Sequence, residues 1–147
     1  MKKSTTLLAL CLLLISRTAY ATDPEAINAA RQCLAAIENL NPDFIKFTTN
    51  SPQHQELAAN IEAVRAAGAN ADERWDASKL IFEEFDGAYQ CPERVFLKTK
   101  GNIVNKSGDS VGRGEYFEVV KARAGWKVRA LGNRPVVNAM KERCESN

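Results

Sequence analysis

One histidine, His54, occurs in the 147 residues. Any Ser-His-Asp relay would therefore run through that single side chain, which sits between Gln53 and Gln55 near the start of an expected surface helix. That position favours a solvated histidine. A general base would need a buried partner and a cavity that admits substrate. Cysteine is sparse as well. The chain has four, with no Cys-x-x-Cys pair and no histidine at ligand spacing, so neither a zinc site nor a thioredoxin-like centre is supported. No metal and no cofactor is expected. The longest apolar run, Leu7 to Ile15, falls well short of the roughly 20 residues that span a bilayer and is closed by Ser16, Arg17 and Thr18. No stable membrane insertion is expected. Glycine-rich phosphate cradles are missing too, since Gly108, Gly112 and Gly114 lead into a strand and not into a helix N-terminus.

The first residues carry an address. Lys2 and Lys3, the apolar segment and Ala19-Tyr20-Ala21 form a signal peptide with a small-x-small cleavage site. Residues 1 to 21 are expected to be removed, giving a periplasmic or secreted protein in which 22 to 147 form a single domain. Leu10 before Cys11 is too bulky for a lipoprotein site. Cleavage removes three bases and no acids, so the formal charge falls from +2 to −1. That balance is uneven along the chain. Residues 22 to 93 carry 13 acids against 5 bases, whereas 94 to 147 carry 5 acids against 12 bases. Either acidic helices and a basic sheet neutralise each other, or a basic face meets an anionic partner. Nucleic acid is a poor candidate for an exported chain with a total charge near zero.

Cys33, Cys91 and Cys144 survive cleavage, and an oxidising compartment favours one disulfide and one free thiol. Cys33 shares the apolar face of the first helix with Ala26, Ala30, Ile37 and Leu40, which marks it as the buried thiol. Cys91 with Cys144 is the expected pair, clipping down the C-terminal tail.

Asp23-Pro24, Asn41-Pro42 and Ser51-Pro52 each set an N-cap residue before a proline suited to the first helical turn. Helices are predicted over about 24 to 40, 42 to 47 and 53 to 67, the last burying Leu57, Ile61 and Val64 and ending at Gly68. Asn70 and Glu73 form a variant capping box for a fourth helix carrying Trp75, Ile81, Phe82 and Phe85, stopped by Asp86-Gly87. Glu83 and Glu84, adjacent on that helix, point about 100° apart and cannot act together as acid and base. Alternation then begins. Val95 to Thr99 and Ile103-Val104 read as strands, 105 to 114 as a glycine-rich loop, and Tyr116 to Ala122 with Trp126 to Leu131 as a hairpin around a three-residue loop, Arg123-Ala124-Gly125. That loop puts Val120, Ala122, Trp126 and Val128 on one face and Lys121, Lys127 and Arg129 on the other. Pro135 starts a short C-terminal helix. The fold class is α+β, with N-terminal helices packed on a curved antiparallel sheet.

The capped first helix, NPDFIKFTTNSPQ and the late YFEVVKARAGWKVRAL hairpin together resemble the nuclear-transport-factor-2-like superfamily. The resemblance implies a cone of helices closed on a curved sheet, with a pocket lined by Trp75, Phe82, Phe85, Tyr116 and Trp126. The alternative is that these aromatics fill the core. Enzymatic members line that cavity with acid, histidine or tyrosine groups. No such catalytic set transfers to this chain.

Two function classes lead, beside a third in which the protein is a purely structural accessory to an envelope assembly. The first is a non-enzymatic binding protein of a bacterial-type cell envelope, of inhibitor or immunity type, that contacts another envelope protein. Its candidate contacts are Lys121, Lys127, Arg129, Trp126 and Tyr116 on the sheet face, or the 105 to 114 loop. The second is a small-ligand carrier or enzyme using a cavity between helices and sheet, which requires a pocket of at least about 300 Å³.

Overall fold

The computed structural model describes residues 22–69, 74–84 and 93–133. The leader, the Cys91–Cys144 pairing, Phe85, the Asp86-Gly87 stop and the C-terminal helix lie outside the described residues. The fold is α+β: N-terminal helices lie on antiparallel sheet.

Each of the three proline-led starts is a helix start. Helix α1 spans Pro24–Glu38, a 3-10 helix spans Pro42–Phe47, and α2 spans Pro52–Ala66. Asp23, Asn41 and Ser51 cap them by accepting from Glu25, Asp43 and His54 backbone N–H groups. Both α-helices end in the same double hydrogen bond. In α1, Leu40 N–H reaches Ile37 O and Asn41 N–H reaches Ala36 O; in α2, Gly68 N–H reaches Arg65 O and Ala69 N–H reaches Val64 O. The left-handed residue is Gly68 in α2, at φ 89°, but Leu40 in α1, at φ 50°. Leucine is strained there, and its side chain packs against the core.

Strands β1 (Trp75–Asp76) and β2 (Ile81–Glu84) occupy the segment expected to be the fourth helix. That expectation is corrected. Large apolar residues in a short run serve a strand or a helix equally well, and here β2 pairs with β3 (Arg94–Lys100), setting Phe82 opposite Thr99. Arg31 on α1 holds the intervening turn, donating from Nη1 to the carbonyls of Ala77 at 2.8 Å, Ser78 at 3.0 Å and Leu80 at 2.8 Å, with its guanidinium 4.9 Å from the Phe82 ring centroid. Asn39 fastens β1 by accepting from Trp75 N–H and donating to Trp75 O. Glu83 and Glu84 are thus strand neighbours on opposite faces, both exposed.

Strands β4 (Asn102–Asn105), β5 (Ser110–Gly112), β6 (Tyr116–Ala122) and β7 (Gly125–Gly132) complete the sheets, in the orders β1-β4-β5 and β2-β3-β6-β7. The chain passes from one sheet into the other at Gly101, which takes φ 103° and accepts from Arg113 N–H. The 105 to 114 stretch is not simply a loop: β5 runs through it, paired with β4. Its turn is held by the Asn105 side chain, which bonds both Asp109 N–H and the Asp109 carboxylate.

The core lies between α1 and the inner sheet face. Ala26, Ala29, Ala30 and Cys33 let the helix approach closely, and Phe82, Leu97, Phe117, Val119 and Val128 answer from the strands. Val64, expected inside, is 46% exposed.

Candidate functional site

After the 3-10 helix the chain turns along the outer strand β7, where Thr48 bridges Val128 in parallel and Thr49 N–H donates to Val128 O at 2.9 Å. This stitch brings the start of α2 beside β7 and leaves a cavity of about 740 Å³ between them and α1. Its size falls in the range of small-molecule sites. Cys33 and Ile37 of α1, Phe44 of the 3-10 helix and Leu57 of α2 supply apolar lining. Polar lining comes from the connecting segment and first turn of α2, with Thr48, Thr49, Ser51, Gln53 and His54. Arg129 and Leu131 contribute from β7.

His54 is no solvated helix-start residue. It is half-buried, and its Nδ1 lies 2.7 Å from Thr49 O. A carbonyl only accepts, so Nδ1 carries the proton, and in the neutral ring Nε2 is an acceptor. The signal was in the sequence: His54, Leu57, Ala58 and Ile61 occupy i, i+3, i+4 and i+7, and these four face inward. Counting the stripe from Leu57 through Ile61 to Val64 instead picks a neighbouring face and omits the histidine.

Arg129 is the extra residue of a β-bulge. Glu118 pairs with Ala130 and Val119 with Val128, so Arg129 has no partner across the ladder. Its Nη1 stands 3.7 Å from Oε1 of Glu118, and Arg94 Nη1 is at the same distance. Glu118 is fully buried, opposite buried Phe96 on the sheet face away from the helices, and neither of its carboxylate oxygens accepts a hydrogen bond among the described residues.

The remaining candidates are dispersed. Ala122 pairs with Gly125, so the turn is Arg123-Ala124 followed by Gly125 at φ 100°. That shifts the register by one residue from the expected three-residue loop and transfers one strand's side chains to the other face. Lys121 therefore faces Trp126, with Nζ 5.9 Å from the ring centroid, on the side of Val119 and Val128. Lys127 pairs with Val120 on the opposite side and donates to Lys46 O. Lys121 is thus parted from the other two residues of the expected basic face, whereas Arg129 reaches Glu118 on the side of Lys127. Trp126 donates from Nε1 to Asp23, and Tyr116 lies under Lys98. Trp75 and Trp126 pack against the core, and Phe82 is buried with its ring 5.7 Å from that of Phe117. None of these aromatics is among the described lining residues of the cavity.

Burial pushes the Cys33 thiol up to about 12. In the folded protein it is protonated and unreactive at neutral pH. Maleimide at pH 8 is expected to leave the tryptic peptide 32 to 46 unlabelled until denaturant is added, as peptide mass spectrometry will read. Because folding raises this pKa, the associated stability is complete below about pH 9 and is lost as pH climbs towards about 12.

Among the described residues, no group of three or more His, Cys, Asp or Glu is placed to hold a metal, and no helix is long and apolar enough to cross a membrane. Comparison with models of protein families, with curated proteins and with solved structures returned no match for this chain.

Proposed function

We propose that this is an exported binding domain whose ligand site is the cavity between α1, the start of α2 and β7. The carrying observation is that cavity: about 740 Å³, lined by apolar residues of α1, the 3-10 helix, α2 and β7 and by the polar segment from Thr48 to His54. Export is read from Lys2, Lys3, the apolar run and Ala19-Tyr20-Ala21. Contact with an envelope protein through a face that holds Lys121, Lys127 and Arg129 together is not the reading taken, because Lys121 and Lys127 lie on opposite faces. A helical layer over a sheet, with a cavity between them, also suits the nuclear-transport-factor-2-like resemblance, which is part of the same proposal. A carrier reading fits better than a catalytic one. His54 has a backbone carbonyl as its partner, and no carboxylate is among the described lining residues to orient it.

The test is titration of the mature protein with a neutral solvatochromic naphthalene dye. One saturable site is expected. Leu57→Trp, which fills the cavity from the half-buried face of α2, is expected to weaken dye binding at least tenfold while thermal unfolding stays within a few degrees of wild type. Undiminished dye binding by a folded Leu57→Trp protein would overturn the proposal.

A further inference from the structure

Resting on the cavity reading, we infer that the ligand is a neutral, largely apolar molecule with a hydroxyl of the alcohol or phenol kind, and that this hydroxyl donates its proton to Nε2 of His54.

The tautomer is the first reason. Nδ1 of His54 lies 2.7 Å from Thr49 O, and because a carbonyl only accepts, that contact fixes the proton on Nδ1 and leaves the Nε2 lone pair as an acceptor in the neutral ring. No donor among the described residues meets Nε2, and it is not one of the buried side-chain atoms left without a partner, so it stands at accessible surface. The ring belongs to the inward face of α2. His54 and Leu57, three residues apart on that face, both line the cavity. An apolar body seated against Leu57 takes water away from the neighbouring Nε2, which costs affinity unless the ligand itself supplies a donor.

Charge is the second reason. No Asp, Glu or Lys is among the described lining residues. Arg129 is among them, but its Nη1 is paired with Glu118, which lies on the sheet face away from the helices. An ion drawn onto the helix-side wall would lose hydration without meeting an opposite charge, whereas a neutral molecule avoids that cost.

The third reason is the match of surfaces. Ile37, Leu57 and Leu131 are half-buried lining residues, so each keeps apolar surface that a ligand body would remove from water. The polar groups beside His54 already serve their own neighbours: Thr48 Oγ1 donates to Ile45 O, Asn50 Oδ1 accepts from Gln55, and Ser51 Oγ accepts from His54 N–H. Nε2 is the open acceptor. An ether or ketone, which only accepts, would leave it unpaired, whereas a hydroxyl satisfies it.

Displacement of the neutral dye at pH 8 by β-naphthol, its methyl ether and β-naphthoate tests this. The three share one apolar body and differ in the head group, which is a donor, an acceptor only, or an anion. β-Naphthol is expected to compete at least about tenfold better than either of the others. In His54→Phe, which keeps an aromatic ring but no acceptor, its advantage over the ether is expected to fall to near one. His54 is the only histidine in the chain, so wild-type protein isotopically labelled in its histidine nitrogens gives a single imidazole to follow by magnetic resonance, with no variant needed. The unprotonated nitrogen is expected to be Nε2, and its resonance to move on saturation with β-naphthol far more than with the ether. Equal competition by β-naphthol and its ether, an Nε2 resonance unmoved by bound β-naphthol, or a β-naphthol advantage that survives in folded His54→Phe would overturn the hydroxyl assignment while leaving the cavity reading intact. Dye binding indifferent to Leu57→Trp would overturn both.

Discussion

Phe117→Ala is expected to lower the free energy of unfolding by about 3–5 kcal/mol, the usual cost of removing a buried phenyl ring from a core that only partly closes over the gap. Phe117 is fully buried on β6, flanked across the ladder by Leu97 and Leu131, and its ring lies 5.7 Å from that of Phe82 in a tilted arrangement at 55°. Truncation removes apolar area, the aromatic contact and the packing that joins β2 to β6. For a domain of this size the melting temperature is expected to fall by more than about 10 °C. Urea unfolding followed by circular dichroism checks it, and a loss below about 1.5 kcal/mol would mean that the core around Phe82 is loosely packed.

Glu118→Ala is expected to cost about 2–4 kcal/mol for a different reason. A buried ion pair adds little over apolar packing, but deleting one member strands the other charge. Glu118 is the counter-charge for both Arg94, whose side chain is 15% exposed, and Arg129, at 36%. Arg129 can turn towards solvent and Arg94 has less freedom, which places the cost below the full penalty for a wholly buried orphan charge. Combining Glu118→Leu with Arg94→Met and Arg129→Met is expected to restore most of the stability, because nothing charged is then left without a counter-ion. Chemical denaturation of the single and triple variants separates charge from shape: a triple variant no more stable than Glu118→Ala would show that the side-chain volumes, and not the ions, set the cost.

Much of the architecture was legible because the signals were local. Asp23-Pro24, Asn41-Pro42 and Ser51-Pro52 satisfy their own helix N-termini within three residues, and all three starts lie where those pairs stand. Alternation likewise placed β3, β6 and β7 to within a residue or two. The misreading of Trp75 to Glu84 as helix has an equally local origin. Its apolar residues fit either period, and the choice is made by β3 on one side and by Arg31 and Asn39 of α1 on the other, partners tens of residues away. The polar neighbours Gln53 and Gln55 mask the helical stripe of His54, Leu57, Ala58 and Ile61.

The sequence by itself determined where the helices begin, that the second half forms strands, that Cys33 is buried and that the two halves carry opposite charge, since each of these follows from residues within a turn or a pleat of one another. Tertiary structure alone decided the hairpin register, the bulge that frees Arg129, the stitch of Thr48 and Thr49 onto β7, and hence the cavity itself. The reason is energetic: a one-residue change in strand pairing changes almost nothing local, yet it moves every side chain of a strand to the opposite face, so only the contacts made across the fold select among the registers.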